Sequence, residues 1–168
     1  MSIEKVREYL KGFNADDKII ELSSSSATVE LAAQALGCEG KRIAKTLSFN
    51  LGENCILVVA AGDAKIDNHN FKHTFGVKAK MLSFDEVEEK IGHAVGGVCP
   101  FAVNEGVKVY LDESLKRFDT VFPACGSSNS AIELSLSQLE QFSNFESWVD
   151  VCKAWRDQEN YKNLLILL

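Results

Sequence analysis

The chain of 168 residues has little that would divide it: two prolines, no repeat and no linker-like stretch. Its apolar runs are all shorter than the roughly 20 residues that cross a bilayer. Hydrophobic residues make up 46% and charged residues 25%, a balance typical of folded globular proteins and not of disordered ones. We therefore predict one domain over residues 1–153, with residues 154–168 as an appended helix or tail.

The cysteines do not form a pattern. There are five of them, an odd number, and no C-x-x-C pair, which argues against a disulfide framework and a zinc ribbon. The first eight residues mix charges at helical spacing and lack the apolar core of a secretory signal. We therefore expect a protein of the reducing cytoplasm, without a membrane partner.

Basic residues are not in excess. The net charge is −6, and Lys and Arg number 11 against 10 acidic residues in the first 80 positions and 7 against 14 in the remainder. Nonspecific nucleic-acid binders carry a clear basic footprint, so DNA is not an expected partner and contact with RNA would need a local patch. The residues of the candidate patch are Lys41, Arg42, Lys72, Lys78 and Lys80. The alternative, equally well supported, is that these are ordinary solvated surface side chains.

The apolar pattern alternates between helical and strand periods. It predicts helices at about 3–13, 29–36, 68–75 and 84–91 and strands at about 19–22, 43–50, 55–61, 77–81, 107–112, 119–123, 131–134 and 148–152. Thr28 and Asp67 are the expected N-caps, and Ser83–Glu86 and Ser137–Glu140 are the expected capping boxes. The predicted fold class is mixed α/β (α+β), a curved mixed sheet wrapped by helices.

Lys45 is the most informative single residue. Alternation along its strand puts it on one face with three large apolar side chains, Ile43, Leu47 and Phe49. That face should point at the core, where an ammonium is costly without a partner or ligand. Such a lysine suits a phosphate, a carboxylate or the negative charge of a transition state. The alternative is a lysine near a strand end whose ammonium reaches water.

Two segments rich in small residues are candidate pocket loops. The first, residues 92–101, contains a Gly-Gly pair followed by Pro100, which lets backbone N–H groups approach a ligand or form an oxyanion hole. The second, residues 123–130, lies between two predicted strands, and its hydroxyl side chains would make a polar pocket rim. A plain structural turn and a solvated hairpin loop are the respective alternatives.

Other chemistry-bearing residues are weaker candidates. His69 and His73 have metal-ligand spacing on a helix, but no third ligand is evident and a surface pair is favoured. Cys99 follows His93 by six residues and suggests a thiol hydrolase, although such close spacing rarely gives the required geometry. Neither a P-loop, a G-x-G-x-x-G nor a G-x-S-x-G motif is present.

Three segments resemble the YbaK/EbsC-like family, freestanding relatives of the editing domain inserted in bacterial prolyl-tRNA synthetase. They are Arg42–Phe49, Leu57–Asp63 and Gly96–Phe101, and the likeness extends over roughly residues 3–153. The resemblance implies a barrel-like mixed sheet and a pocket for the 3′-terminal adenosine of a mischarged tRNA. It also implies a trans-editing aminoacyl-tRNA deacylase that needs neither metal nor organic cofactor, with an aminoacyl-tRNA synthetase as a candidate further partner.

The resemblance also carries roles onto particular residues. Lys45 would neutralise the terminal phosphate or the charge developing on the ester. The backbones of Gly96 and Gly97 would hold the amino-acid end and orient the attacking water, so these three are the expected catalytic residues. The expected substrate-binding residues are Val98, Cys99, Pro100, Gly126, Ser127, Ser128 and Asn129.

Two positions depart from the family pattern. Many relatives carry a serine and an aspartate where this chain has Ala124 and Ala131. The amino-acid specificity of other members is therefore not carried over. The departure also leaves open a second function, a non-catalytic module that binds a nucleotide or an aminoacyl group for regulation.

Overall fold

The computed structural model of the protein describes residues 2–156. The helices are α1 (Ser2–Lys11), α2 (Val29–Leu36), α3 (Asn68–Phe75), α4 (Phe84–Ile91) and α5 (Leu136–Ser143). The strands are β1 (Ile20–Glu21), β2 (Ile43–Leu51), β3 (Asn54–Ala61), β4 (Lys65–Ile66), β5 (Lys108–Asp112), β6 (Thr120–Pro123), β7 (Ser130–Ala131), β8 (Leu134–Ser135), β9 (Ser147–Val149) and β10 (Cys152–Lys153). Short 3₁₀ turns occupy residues 16–18, 40–42 and 113–117.

Six strands form one curled, mixed sheet in the order β8-β6-β2-β3-β5-β9. The central β2–β3 hairpin is antiparallel, with Lys45 opposite Ala60, whereas β6 runs parallel to β2 and β5 runs parallel to β3. Two small antiparallel pairs, β1–β7 and β10–β4, complete the structure. The prediction of a curved mixed sheet wrapped by helices is confirmed.

The hydrophobic pattern explains the centre of the sheet. From Cys55 to Ala61, β3 is buried at every residue, as expected for a strand covered on both faces. The main core packs against it and includes Phe49, Phe71 and Phe101. A smaller cluster of Ala32, Ile43 and Phe122 joins α2 to the sheet. Within residues 2–156, no helix combines the length and apolarity needed to cross a bilayer.

Several predicted helix ends are confirmed. The Thr28 hydroxyl accepts from Leu31 N at 3.1 Å, and Asp67 caps α3 in the same way. Ser83 and Glu86 form the predicted capping box of α4. The second capping box, however, is formed by Ser135 with Gln138 and not by Ser137 with Glu140. The helix begins earlier because the Ser135 hydroxyl accepts from Gln138 N at 3.2 Å and the Gln138 side chain accepts from Ser135 N at 2.9 Å.

Three predicted strands differ from the structure. Residues 77–81 make a single bridge, between Met81 and Phe49, because α4 begins soon afterwards. Residues 131–134 are not one strand, since β7 pairs with β1 and β8 with β6. Residues 148–152 divide into β9 and β10, because Asp112 Oδ1 accepts from Val151 N at 2.9 Å and the chain changes partner there. Residues 157–168 of the predicted tail lie outside the described residues.

Candidate active site

A cavity of about 470 Å³ opens beside β2. Residues 43–48 of β2 form one side, here called the strand wall. The other side, here called the loop wall, is formed by residues 26–28, 95, 96, 98 and 130–131. Most of the lining side chains are apolar, and Lys45 is the one charged residue among the described residues that line it. The cavity is therefore an apolar site with a single fixed positive charge.

The Lys45 ammonium is anchored to the turn after β3. Its Nζ donates to the carbonyl oxygens of Ala64 and of Gly62, the latter at 3.3 Å. Because an ammonium has three N–H donors, two such bonds leave one for a ligand. Burial lowers the pKa of Lys45 from its usual value. The neighbouring carboxylate of Asp63 is engaged by Arg117 at 2.6 and 3.0 Å.

A close backbone approach holds that turn in place. A Cβ on Gly62 would lie 2.0 Å from the carbonyl oxygen of Gly40, so no side chain fits there. Gly62 is thus required for the geometry that presents its own carbonyl to Lys45. The predicted core-facing position of Lys45 holds in part: Phe49 and Ile43 are buried, whereas Lys45 and Leu47 are half-buried at the cavity.

Gly96 and Gly97, the glycine pair of the first predicted loop, have different surroundings. Gly96 lines the cavity at φ +92°, a conformation that favours glycine, and within the described residues no group accepts from its N–H. Gly97 N donates to Ala94 O at 3.0 Å, so that N–H closes the turn. A Cβ on Gly97 would lie 2.8 Å from the backbone of Gly126, which makes Gly97 the contact between the two predicted pocket loops.

The second loop supports the cavity from behind. Ser128 O accepts from Ser26 N at 2.6 Å, and Asn129 both accepts from Leu22 N and donates to Leu22 O. Ser127 Oγ lies 2.7 Å from Ser130 Oγ. Of the predicted substrate-binding residues, Val98 lines the cavity. In the described chain, the others lie outside its lining, namely Cys99, Pro100, Gly126, Ser127, Ser128 and Asn129.

Ser130, the last residue of the second predicted pocket loop, lines the cavity. Four further hydroxyl residues that line it were not predicted as site residues: Ser26, Thr28, Thr46 and Ser48. Thr46 Oγ1 is buried and has no hydrogen-bond partner among the described residues. Strand alternation places Thr46 and Ser48 opposite to Lys45, and the serine run at residues 23–26 gave no periodic signal. Ala124 and Ala131, the two departures from the family pattern, also line the cavity.

The predicted thiol pair exists but is sealed from the cavity. Cys99 Sγ lies 3.5 Å from His93 Nε2, which is 2.7 Å from Phe101 O. Both side chains have no exposed surface, and neither lines the cavity within the described chain. Burial raises the pKa of the Cys99 thiol to about 12 and lowers the pKa of His93. A reactive thiolate is therefore disfavoured.

The predicted basic patch is scattered. Arg42 is bound to Thr120 and Glu133, and Lys41 lies 3.3 Å from Glu39. Lys78 and Lys80 line a second groove of about 420 Å³. Lys72 lies apart on the exposed face of α3.

The predicted histidine pair lies at the surface. His69 and His73 are both exposed on α3. In residues 2–156, no group of three or more His, Cys, Asp or Glu side chains is placed to hold a metal ion.

The chain is similar to known proteins over most of its length. The family model of the aminoacyl-tRNA editing domain matches residues 23–142. The chain is 55% identical over 156 residues to an uncharacterized protein, YwhH, of Bacillus subtilis (strain 168), covering 92% of this chain and 99% of that protein. It is 28% identical over 109 residues to the proline–tRNA ligase of Halalkalibacterium halodurans, covering 64% of this chain and 19% of the ligase.

The solved structures agree with the sequence comparisons. The crystal structure of a proposed trans-editing enzyme for prolyl tRNA synthetase superimposes with a TM-score of 0.81 at 27% identity. The match covers 91% of this chain and 98% of the other. The predicted family resemblance and fold class are both confirmed.

Proposed function

Because the chain belongs to the aminoacyl-tRNA editing domain family, we propose that it is a trans-editing deacylase acting on a mischarged tRNA. Water would add to the carbonyl carbon of the aminoacyl ester, and the bond to the ribose oxygen would break. The products are the free amino acid and the deacylated tRNA. The proposal places this reaction in the cytoplasm and requires neither a metal ion nor an organic cofactor.

The observation that carries the proposal is the Lys45 ammonium at an otherwise uncharged cavity. Two carbonyls orient it, so its remaining N–H is available to the terminal phosphate or to the oxyanion of the tetrahedral intermediate. The free N–H of Gly96 is a second donor from the loop wall. Both donors act without further reorganisation because strand and turn already hold them.

The lining also limits the amino acid. Apart from Lys45, the described lining carries no charge, and Ala124 and Ala131 present methyl groups. An acidic or basic substrate side chain would lose its hydration there without gaining a fixed partner of its own. We therefore propose that the edited amino acid has an uncharged, largely apolar side chain.

The second candidate is a binding module without catalysis. It is favoured by the same two methyl groups, since a serine and an aspartate at these positions would have supplied polar groups to the reacting ester. A panel of tRNAs, each charged with one wrong amino acid, separates the two functions. Hydrolysis of an apolar member supports the deacylase, whereas binding of the panel without hydrolysis of any member supports the module.

Lys45→Ala tests the mechanism on whichever substrate the wild type cleaves. Loss of one oriented electrostatic contact of this kind should lower kcat by about 10²–10³. Lys18→Ala is the matched control, because Lys18 is exposed and does not line the cavity. Thermal unfolding of both variants checks that they are folded. Deacylation by Lys45→Ala within a few-fold of wild type would mean that the proposed mechanism is wrong.

A further inference from the structure

The cavity mouth carries an apolar surface that the proposed chemistry does not use. Phe84, the first residue of α4, lines the cavity and is 76% exposed, and Met81 lines it with 56% exposure. Large apolar side chains this exposed are uncommon at one place on a soluble surface unless they contact something. An exposed aromatic ring beside a pocket is a platform on which a nucleic-acid base can stack.

The second groove begins next to this surface. Ser48 O accepts from Leu82 N at 3.1 Å, and Asn50 N donates to Lys80 O at 2.8 Å. Ser48 lines the cavity and Asn50 lines the groove, so two neighbouring positions of β2 connect the two depressions. Extended chain from residue 78 to residue 81 spans about 10 Å, comparable to about three stacked nucleotides.

The charge of the groove differs from that of the whole chain. Among the described residues that line the groove, the ionisable ones are Lys78, Lys80, Lys90 and Glu86. The groove is therefore basic, although the protein has a net charge of −6. The Glu86 carboxylate accepts from Lys90 at 2.6 Å and from Ser83, so it is already compensated. Lys78 and Lys80 make no ion pair among the described residues. They are therefore available to phosphates.

We propose that this surface is the path of the single-stranded 3′ end of the RNA, with the terminal adenine stacked on Phe84 and the preceding phosphates on Lys78 and Lys80. The inference rests on the proposed function, since the cavity would then hold the esterified amino acid and the ribose. An RNA strand fits better than a protein segment because an aromatic platform and a row of free lysines lie in series. Aromatic stacking with a positive track is the usual means of binding single strands.

The experiment compares two substrates. One is the 3′-aminoacyl-adenosine, and the other is an acceptor-stem minihelix charged with the same amino acid. Phe84→Ala should lower kcat/KM about tenfold on both, because both contain the terminal base, and Phe84→Trp should restore it. The double variant K78Q/K80Q should lower kcat/KM about five- to tenfold on the minihelix alone.

The salt dependence separates phosphate contacts from other effects. In K78Q/K80Q, the slope of log kcat/KM against log salt concentration should become shallower by about 1.4, because two phosphate contacts are lost from a single strand. The control K11Q/K18Q makes the same charge change at two exposed lysines that line neither depression, and it should behave as wild type.

Every outcome decides the proposal. Equal activity of wild type, Phe84→Ala and K78Q/K80Q on the minihelix overturns it. So does an equal loss in K78Q/K80Q on both substrates, which would indicate damage to the cavity itself. If these variants differ from wild type only in binding to a synthetase, the surface serves a protein and the RNA path is wrong.

A wild type that cleaves neither substrate would contradict the proposed function, and the path would then be decided by binding alone. A fluorescent, uncharged minihelix serves as the probe. Weaker binding by Phe84→Ala and by K78Q/K80Q, with unchanged binding by K11Q/K18Q, supports the path. Unchanged binding by all three overturns it.

Discussion

The strand wall and the loop wall of the cavity are built from different kinds of structure. The strand wall supplies a side chain, Lys45, from a nine-residue strand paired along its length with β3. The loop wall supplies backbone groups near Gly96, and no regular element holds them in place. Instead, the contact of Gly97 with Gly126 and the bonds from the second loop to residues 22–26 fix that wall.

The groups of the two walls are oriented by different parts of the structure. A side chain on a central strand is oriented by the pleat and the register, so its position follows from local structure. A backbone N–H in a loop is oriented only by the segments that touch the loop. Both walls nevertheless depend on a glycine at a close approach, Gly62 in one and Gly97 in the other.

After Lys45→Ala, the largest effect is expected at the strand wall, from Gly62→Ala. The new methyl group would overlap the carbonyl oxygen of Gly40, and the turn that holds Lys45 would have to move. We expect a loss of about 1–3 kcal/mol in the free energy of unfolding from overpacking. We also expect deacylation to fall by at least tenfold. Urea unfolding and deacylation rates measure the two effects.

Gly40→Ala is the matched control for that prediction. It lies across the same close approach, but its Cβ would meet Val29 at an ordinary 3.5 Å. We expect its stability and rate to stay near those of wild type. If Gly62→Ala also keeps wild-type activity, the turn after β3 does not position Lys45, and our inference about that turn is wrong.

A smaller effect is expected at the loop wall, from Gly97→Ala. Its methyl group would lie 2.8 Å from the backbone of Gly126 and would separate the two loops. We expect about 1–3 kcal/mol of destabilisation and a fall in kcat/KM of about tenfold. The control is Gly106→Ala, where nothing lies within 4 Å and only the φ of +89° opposes a side chain. Gly106→Ala should be mildly destabilised, and its kcat/KM should equal that of wild type. If Gly97→Ala also has the kcat/KM of wild type, the contact between the two loops does not shape the cavity.

The smallest effect on the rate is expected from Cys99→Ala, behind the loop wall. The thiol is buried and does not line the cavity, so deacylation should stay within about threefold of wild type while stability falls by about 0.5–3 kcal/mol. Cys125→Ala removes a second fully buried thiol and is the control. A thiol hydrolase would instead lose several orders of magnitude in rate through Cys99→Ala alone.

Much of the fold was predictable where local patterns are strong. The N-caps at Thr28 and Asp67 and the capping box at Ser83 are short-range motifs, and they lie where predicted. The strands β2 and β3 agree with the apolar runs of the sequence to within a residue. The strands predicted at 77–81, 131–134 and 148–152 differ because local periodicity does not show where a segment ends its pairing or changes its partner.

The site was predictable to a smaller degree. Lys45, Gly96 and Val98 line the cavity, and the two predicted loops meet at Gly97. Ser130, from the second predicted loop, lines it too. Ser26, Thr28, Thr46 and Ser48 line it as well, although no spacing in the sequence connects them. The roles of all these residues stay predictions until the variants are measured.

The sequence by itself determined the family, the mixed architecture and the lysine set among apolar neighbours, because these depend on periodicity and short motifs. Only the tertiary structure decided which donors are free. It engages the Gly97 N–H within its turn, leaves the Gly96 N–H open, binds Lys45 to two carbonyls and buries Cys99 away from the cavity. The physical reason is that a hydrogen-bonding group is free or satisfied according to what the folded chain places against it. That partner is a residue of the same turn for Gly97 and of the turn after the neighbouring strand for Lys45.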